Sequence, residues 1–375
     1  MAAFPAPRLA KDAAFAHTIA PTKPLGSAVS ESSIVAETAA RIFADLADPQ
    51  EVNRAKDGAW KDRLWQALAE AGLTLAWVPE AQGGAGAELA DGFAVLGVAG
   101  RYAAAVPLAE TLLAGWLLSR AGLKAPQGAM SVAPVRPGDR ITLNADGTLS
   151  GQARGVPFAK DARHLAVLAG GMVALVETKA CRLGDGASLA SEPQNAVTFE
   201  HVKPLAVGKA DLDQTALMLM GCTVRSVETA GALEAILDMT VRYANERVAF
   251  ERPIAKFQAV QHNLARLAGE VSAAMTAAYS AADAIARGGA FDDTVFLETT
   301  AAKIRSAEAA QEGAAIAHQV HGAIGFTSEH ILHRYTLRML AWRDDFGNES
   351  YWAAALGNKI AARGADEFWP LVAAC

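Results

Sequence analysis

Apolar side chains recur along the first third of the chain at helical spacing. In WKDRLWQALAEAGL, Trp60, Leu64, Leu68, Ala71 and Leu73 fall about one turn apart, which predicts an amphipathic helix ending at Gly72. PEAQGGAG (Pro79–Gly86) breaks the pattern and predicts a loop. PLAETLLAGWLLSRAG (Pro107–Gly122) predicts a helix with proline in its first turn. From about residue 127 the period shortens. DRITLNADGTLSG holds two apolar runs around Asp146-Gly147, HLAVLAGGMVALV holds two around Gly170-Gly171, and AVTFEHVKPLAV adds a further run. These signals predict hairpins and a small β-domain. Past Leu212 the long period returns: Phe257, Val260, Leu264, Leu267 and Val271 are spaced 3, 4, 3, 4, the seam of a helix packed nearly antiparallel in a bundle. Pro253, Gly288-Gly289, Gly322 and Gly325 punctuate this part.

The pattern predicts an α+β, mostly helical chain: an N-terminal extension (1–29), an N-terminal helical domain (30–126), a central β-domain (127–211) and a C-terminal helical bundle (212–375). Composition agrees. Of 375 residues 52% are hydrophobic but only 7% aromatic, which favours closely packed Ala-Leu-Val helices. The net charge is −6 with no Lys/Arg run, so no nucleic-acid partner is expected. Cys181, Cys222 and Cys375 are scattered, which fits a reducing cytoplasm and neither a disulfide framework nor a zinc site. The first thirty residues contain Pro5, Pro7, Pro21 and Pro24 without an apolar core, unlike a secretory signal. Leu165–Val176 is too short to span a bilayer, and the apolar stretch after Leu217 is cut by Arg225, Glu228 and Glu234, so no membrane insertion is expected.

Candidate chemistry concentrates in AWRDDFGNESYW (Ala341–Trp352), where Asp344, Asp345 and Glu349 crowd between aromatic residues. A carboxylate kept dry by aromatics can serve as a general base near neutral pH. The plainer reading makes all three solvated or capping residues at a helix junction, where Asp and Asn348 are suited. His321, His330 and His333 form no trusted metal-ligand set with these acids, so no metal is expected. Cys222 reads as a packed helix residue.

Three motifs in order resemble the acyl-CoA dehydrogenase family. LWQALAEAGLTLAWVPEAQGGAG looks like its helix, turn and P-E-x-x-G-G-x-G loop. YANERVAFERPIAKFQAVQHNLA (Tyr243–Ala265) is similar to its Y-A-x-x-R-x-x-F-x-x-P-I-x-x-F-Q segment, with Glu251 where glycine is usual. HQVHGAIGFTSEHILHRYTLR (His318–Arg338) resembles its Q-x-x-G-G-x-G-F segment, with Ala323 for the second glycine. The resemblance implies an N-terminal helical domain, a small β-domain and a C-terminal four-helix bundle, with FAD as cofactor. It also implies an acyl-CoA thioester substrate, an electron-accepting flavoprotein partner and an oligomer, either of this chain or with a sister acyl-CoA dehydrogenase. Carried over residue by residue, Arg247, Phe250, Gln258, Gln319 and Gly322 would reach across a subunit interface to FAD held mainly by a neighbour. The residue types suit that role: an arginine fork for phosphate, a phenylalanine for the adenine face, amides, and a glycine that lets backbone come close. The bland alternatives are a surface pair of Arg247 with Glu246 or Glu251, and Phe250 and Phe257 in the core.

The chain departs from the family pattern at its own flavin site. MSVAPVRPGDRITL (Met130–Leu143) stands where a T-E-P-x-x-G-S-D-like segment is usual, leaving Ser131 and backbone amides near Arg136-Pro137-Gly138 as substitutes. No tryptophan lies between Trp116 and Trp342. The family's catalytic glutamate would fall at Phe346 or Gly347, or in other relatives at Gly221 followed by Cys222, and none of these is an acid. Glu349 and Asp345 remain as displaced candidates, although an offset of two helical residues turns a side chain about 200°. Two readings follow: a dehydrogenase that oxidises an acyl-CoA thioester between its alpha and beta carbons with FAD as hydride acceptor, or a non-catalytic subunit that completes a sister chain's FAD site.

Overall fold

A computed structural model describes residues 34–55, 57–288 and 290–373; the extension at 1–29, Gly289 and Cys375 lie outside the described residues. Five helices come first: α1 (Ile34–Leu46), α2 (Pro49–Arg54), α3 (Ala59–Glu70), α4 (Leu89–Arg101) and α5 (Leu108–Arg120). The expected apolar stripe of α3 is real, since Trp60, Leu64 and Leu68 are its buried residues. Gly72 sits at φ 73 just beyond it, a left-handed stop that glycine adopts without a Cβ penalty.

The middle of the chain forms eight strands: β1 (Met130–Ala133), β2 (Arg140–Leu143), β3 (Leu149–Pro157), β4 (His164–Ala169), β5 (Met172–Glu177), β6 (Arg182–Leu183), β7 (Gln194–Val202) and β8 (Ala206–Lys209). They build two four-stranded sheets in the orders β1-β4-β5-β8 and β2-β3-β7-β6. Only β1 and β4 run parallel. Both predicted hairpins form. Gly170 and Gly171 turn β4 into β5 with φ of 59 and 83, as a primed two-residue turn requires. Between β2 and β3, the Asp146 carboxylate accepts the Thr148 amide at 2.9 Å and Gly147 takes φ 80.

The rest is α6 (Gln214–Glu246), a short ribbon of β9 (Val248–Ala249) and β10 (Arg252–Pro253), α7 (Gln258–Gly288), α8 (Asp293–His321), α9 (Leu332–Trp342), α10 (Glu349–Arg363) and α11 (Phe368–Ala373). Three long helices and the broken α9–α10 pair make the bundle. Along the predicted seam of α7, Leu267 and Val271 are buried, while Phe257, Val260 and Leu264 near its start are half-buried. The helical regions meet backbone to backbone: a Cβ on Gly231 of α6 would stand 2.0 Å from the Gly97 carbonyl oxygen, and one on Gly100 2.1 Å from that of Glu228. Glycine is what allows α4 and α6 to approach so closely. Among the described residues no helix is long and apolar enough to cross a membrane.

Candidate functional site

The end of α6 turns through Arg247, whose carbonyl accepts the Ile254 amide at 2.8 Å. β9 and β10 pair around it and leave Phe250-Glu251 as a two-residue turn with φ of 53 and 64. Such turns prefer Asn-Gly, and each L-residue held left-handed costs about 1–2 kcal/mol. That cost presents Phe250 outward at 89% exposure, so it is not core. Its ring meets Phe257 edge-on at 6.2 Å, and the Arg252 guanidinium lies 4.2 Å over Phe257. The Arg247 side chain is exposed and makes no ion pair among the described residues, with Glu246 and Glu251 or otherwise. Replacing Glu251 by glycine should raise the unfolding free energy by about 1 kcal/mol, seen as a higher denaturant midpoint, whereas Glu251→Ala should leave the midpoint nearly unchanged. An unaltered midpoint for the glycine variant would remove the strain argument.

Gln258 opens α7, and Gln319 lies on the last turn of α8; both side chains are exposed. Gly322, at φ 63, ends α8. Tyr243 ties the two helix ends together: its hydroxyl donates to the His321 carbonyl at 3.2 Å and its ring stacks on His321 at 4.5 Å. The antiparallel run of α6, α7 and α8 therefore gathers Arg247, Phe250, Gln258, Gln319 and Gly322 at one end of the bundle. His321 is buried, and burial pushes its imidazole down to about 4, so it is neutral at pH 7. No group of three or more potential metal ligands occurs among the described residues.

The chain's own cleft, between the β1–β2 loop and α6, is differently built. Ser131, the expected substitute for a missing flavin contact, is fully buried and its hydroxyl donates to the Pro157 carbonyl at 2.6 Å. The Gln214 amide donates to the carbonyls of Arg136, Pro137 and Asp139 at 3.1–3.3 Å. The Phe346 amide donates to the Val135 carbonyl at 3.1 Å. The Ser131 hydroxyl and the carbonyls of this loop are thus satisfied within the chain.

Phe346 then fills the cleft. A Cβ on Gly221 would lie 2.2 Å from the Phe346 ring, so two of the three positions at which a catalytic glutamate is expected touch each other. Phe346 has no solvent exposure and sits at φ 58. Its carbonyl accepts from Trp352 Nε1 at 3.0 Å and from the Cys222 thiol at 3.3 Å. Burial pushes that thiol up to about 12, which leaves Cys222 a packed residue rather than a nucleophile.

The neighbouring acids are occupied. Asn348 caps α10, accepting the Tyr351 amide at 2.9 Å, as expected, and Asp344 is exposed. Asp345 corrects the solvated reading: it is 5% exposed and accepts Arg225 Nε at 2.9 Å and Gln194 Nε2 at 2.8 Å. Glu349 pairs with Arg343 at 2.5 Å. Partial burial raises its carboxyl, but its own amide and Arg343 outweigh this and hold it below the ordinary range, the opposite of what a base near neutrality needs.

Arg225 is the centre that the sequence did not announce. Its guanidinium also donates to Glu110 of α5 at 2.5 Å and to Glu228 at 2.6 Å, with all four groups buried. Lys303 of α8, also buried, donates to the carbonyls of Trp342 and Asp345 at 2.8 Å each. The only signal was an Arg and a Glu three apart inside an apolar run, which reads more readily as a break in a membrane span. The cavity beside this cluster, lined by Arg225, Ser226, Lys303, Ser306 and Trp342, is about 10 Å³. A ligand pocket needs roughly 300–1,000 Å³. A second cavity of about 140 Å³ lies elsewhere, against Gly72, Thr74, Gly83 and Gln127.

Comparison with known proteins accords with this architecture. Residues 30–127 match the acyl-CoA dehydrogenase N-terminal domain and residues 214–354 the acyl-CoA dehydrogenase C-terminal domain. The chain is 29% identical over 314 residues to acyl-CoA dehydrogenase IpdE2 of Mycobacterium tuberculosis, covering 82% of this chain and 90% of that one. A solved variant of the Tcur3481-Tcur3483 steroid ACAD superposes with a TM-score of 0.77 at 27% identity, over 88% of this chain and 97% of that one. The ChsE4-ChsE5 complex from Mycobacterium tuberculosis shares the fold, with a TM-score of 0.74 at 24% identity over 87% and 96% of the two chains. With both of its helical regions matched and its fold shared, this chain belongs to the acyl-CoA dehydrogenase family.

Proposed function

We propose that this chain is a partner subunit of a hetero-oligomeric acyl-CoA dehydrogenase and completes the FAD site of a sister chain, rather than running the reaction in its own cleft. The observation that carries this reading is the Phe346 ring against Gly221. A carboxylate grown from Gly221 would need the space the ring occupies, a Cβ on Gly347 would stand 2.7 Å from Trp352 Nε1, position 346 carries the ring itself, and the adjoining cavity holds about one water. The end of the bundle presents the opposite picture. Among the described residues, Arg247, Gln258 and Gln319 are exposed with no side-chain hydrogen bond, so their donors are free for a ligand held by another chain.

The fit to FAD is therefore divided. The β1–β2 loop and the Phe346 plug do not fit a flavin ring in this chain's own cleft. The exposed set suits the other end of the cofactor: the Arg247 fork suits a diphosphate, Phe250 the adenine face, Gln258 and Gln319 polar edges, and Gly322 a close backbone approach. FAD, when bound, supplies the hydride acceptor for alpha,beta-dehydrogenation of an acyl-CoA thioester, and an electron-accepting flavoprotein would reoxidise it. The sister chain supplies the base for the alpha proton. A solved relative whose name joins two components, Tcur3481-Tcur3483, is consistent with a two-chain assembly.

The visible absorption spectrum tests this. Purified alone, the chain should show no flavin band; co-purified with its sister dehydrogenase, the assembly should carry about one FAD for each pair of chains. A band corresponding to one FAD per subunit in the chain alone would refute the proposal and return the catalytic reading, with Glu349 and Asp345 as the first candidates for mutation.

A further inference from the structure

The buried cluster holds more carboxylates than cations. Glu110, Glu228 and Asp345 surround Arg225, and Lys303 is the second buried cation. Glu110 Oε2 is buried with no partner. The charged groups facing Glu228 are Glu110 on α5, Arg225 on α6 and Glu192 before β7, itself paired with Arg338 at 2.6 Å, while Asp345, in the turn after α9, and Lys303 on α8 lie on the other side of Arg225. Arg343 beyond the small cavity is paired with Glu349. One excess negative charge in a dry site costs more than binding a proton.

We propose that the Glu110–Arg225–Glu228–Asp345 cluster is a proton-linked clasp: with a proton on one of the two glutamates it holds the 342–348 turn, and with it the Phe346 plug, against α6. Loss of that proton adds a charge beside Asp345 and loosens the turn. Burial, the largest influence, raises both glutamates; Glu228 is pushed up to about 7 from an ordinary 4.5 despite Arg225. A carboxyl raised in the folded state contributes stability that is complete below its unfolded value and is lost as pH rises through its folded value. The window is therefore about pH 4.5 to 7, and the clasp weakens toward its alkaline end.

The test uses the whole chain carrying Cys181→Ser and Cys375→Ser, so that a thiol reagent reads only Cys222 beneath Phe346. Labelling should accelerate between about pH 6 and 8 beyond what thiol ionisation explains, and the unfolding constant of wild type relative to Glu228→Gln should rise on the order of a hundredfold from about pH 5 to 8, a ratio in which the opposite contribution of buried neutral His321 cancels. Glu228→Gln, which keeps the protonated shape, should abolish the excess in both measurements. Should that variant fail to fold, Glu110→Gln makes the same test. Equal pH dependence in wild type and the folded variant would overturn the clasp.

Discussion

Arg225→Ala is expected to destabilise the chain by about 3–5 kcal/mol, because three buried carboxylates would lose their shared counter-ion. The size follows from geometry. Arg225 donates through Nε, Nη1 and Nη2 to three separate acids at 2.5–2.9 Å, and the cavity beside them has room for about one water. The loss should be visible as a lower denaturant midpoint with an unchanged slope. Removing the charges together with the arginine should recover much of it, since apolar replacement of a whole buried ion cluster is often neutral. A variant with Arg225→Met, Glu110→Leu, Glu228→Leu and Asp345→Asn that melts no higher than Arg225→Ala would show that packing, not charge, governs this site.

The second large effect belongs to the assembly. Arg247→Ala should weaken FAD retention by the hetero-oligomer about 10- to 100-fold, the range of a charge-assisted hydrogen bond worth roughly 1.5–3 kcal/mol. The isolated subunit should melt as before, because the side chain is exposed and makes no hydrogen bond or ion pair among the described residues. Arg247→Lys should recover only part of the affinity, since an ammonium cannot form the planar fork. Undiminished flavin occupancy in Arg247→Ala would take this residue out of the cofactor site.

What the sequence disclosed, and what it hid, follows from distance along the chain. The turns at Asp146-Gly147 and Gly170-Gly171 were legible because the residues that dictate them are the ones that turn. The stripe of α3 was legible because its period is local. The surface set from Arg247 to Gly322 was reachable by motif, though Tyr243 on His321, which joins its two halves, was not. The plug was hidden. Gly221 and Phe346 read as two separate empty slots, and only the fold shows that each fills the other. Asp345 read as solvated because an Asp-Asp pair before Phe-Gly-Asn looks like a surface turn; its partner Arg225 lies 120 residues away, beyond any local signal.

The placement of the strands also orders the assembly of the molecule in time. The β-domain lies in sequence between Glu110 and Arg225, and its pairings are long-range: β1 aligns with β4 and β3 with β7. Helices close on nanosecond to microsecond scales, whereas non-local strand pairing must first overcome loop-closure entropy. Glu110 and Arg225, 115 residues apart, meet cheaply only once the intervening sheets have shortened the loop between them. The ion cluster should thus form late, as the step that commits a nearly folded chain, and a chain arrested before it would carry native helices with an unsealed cleft.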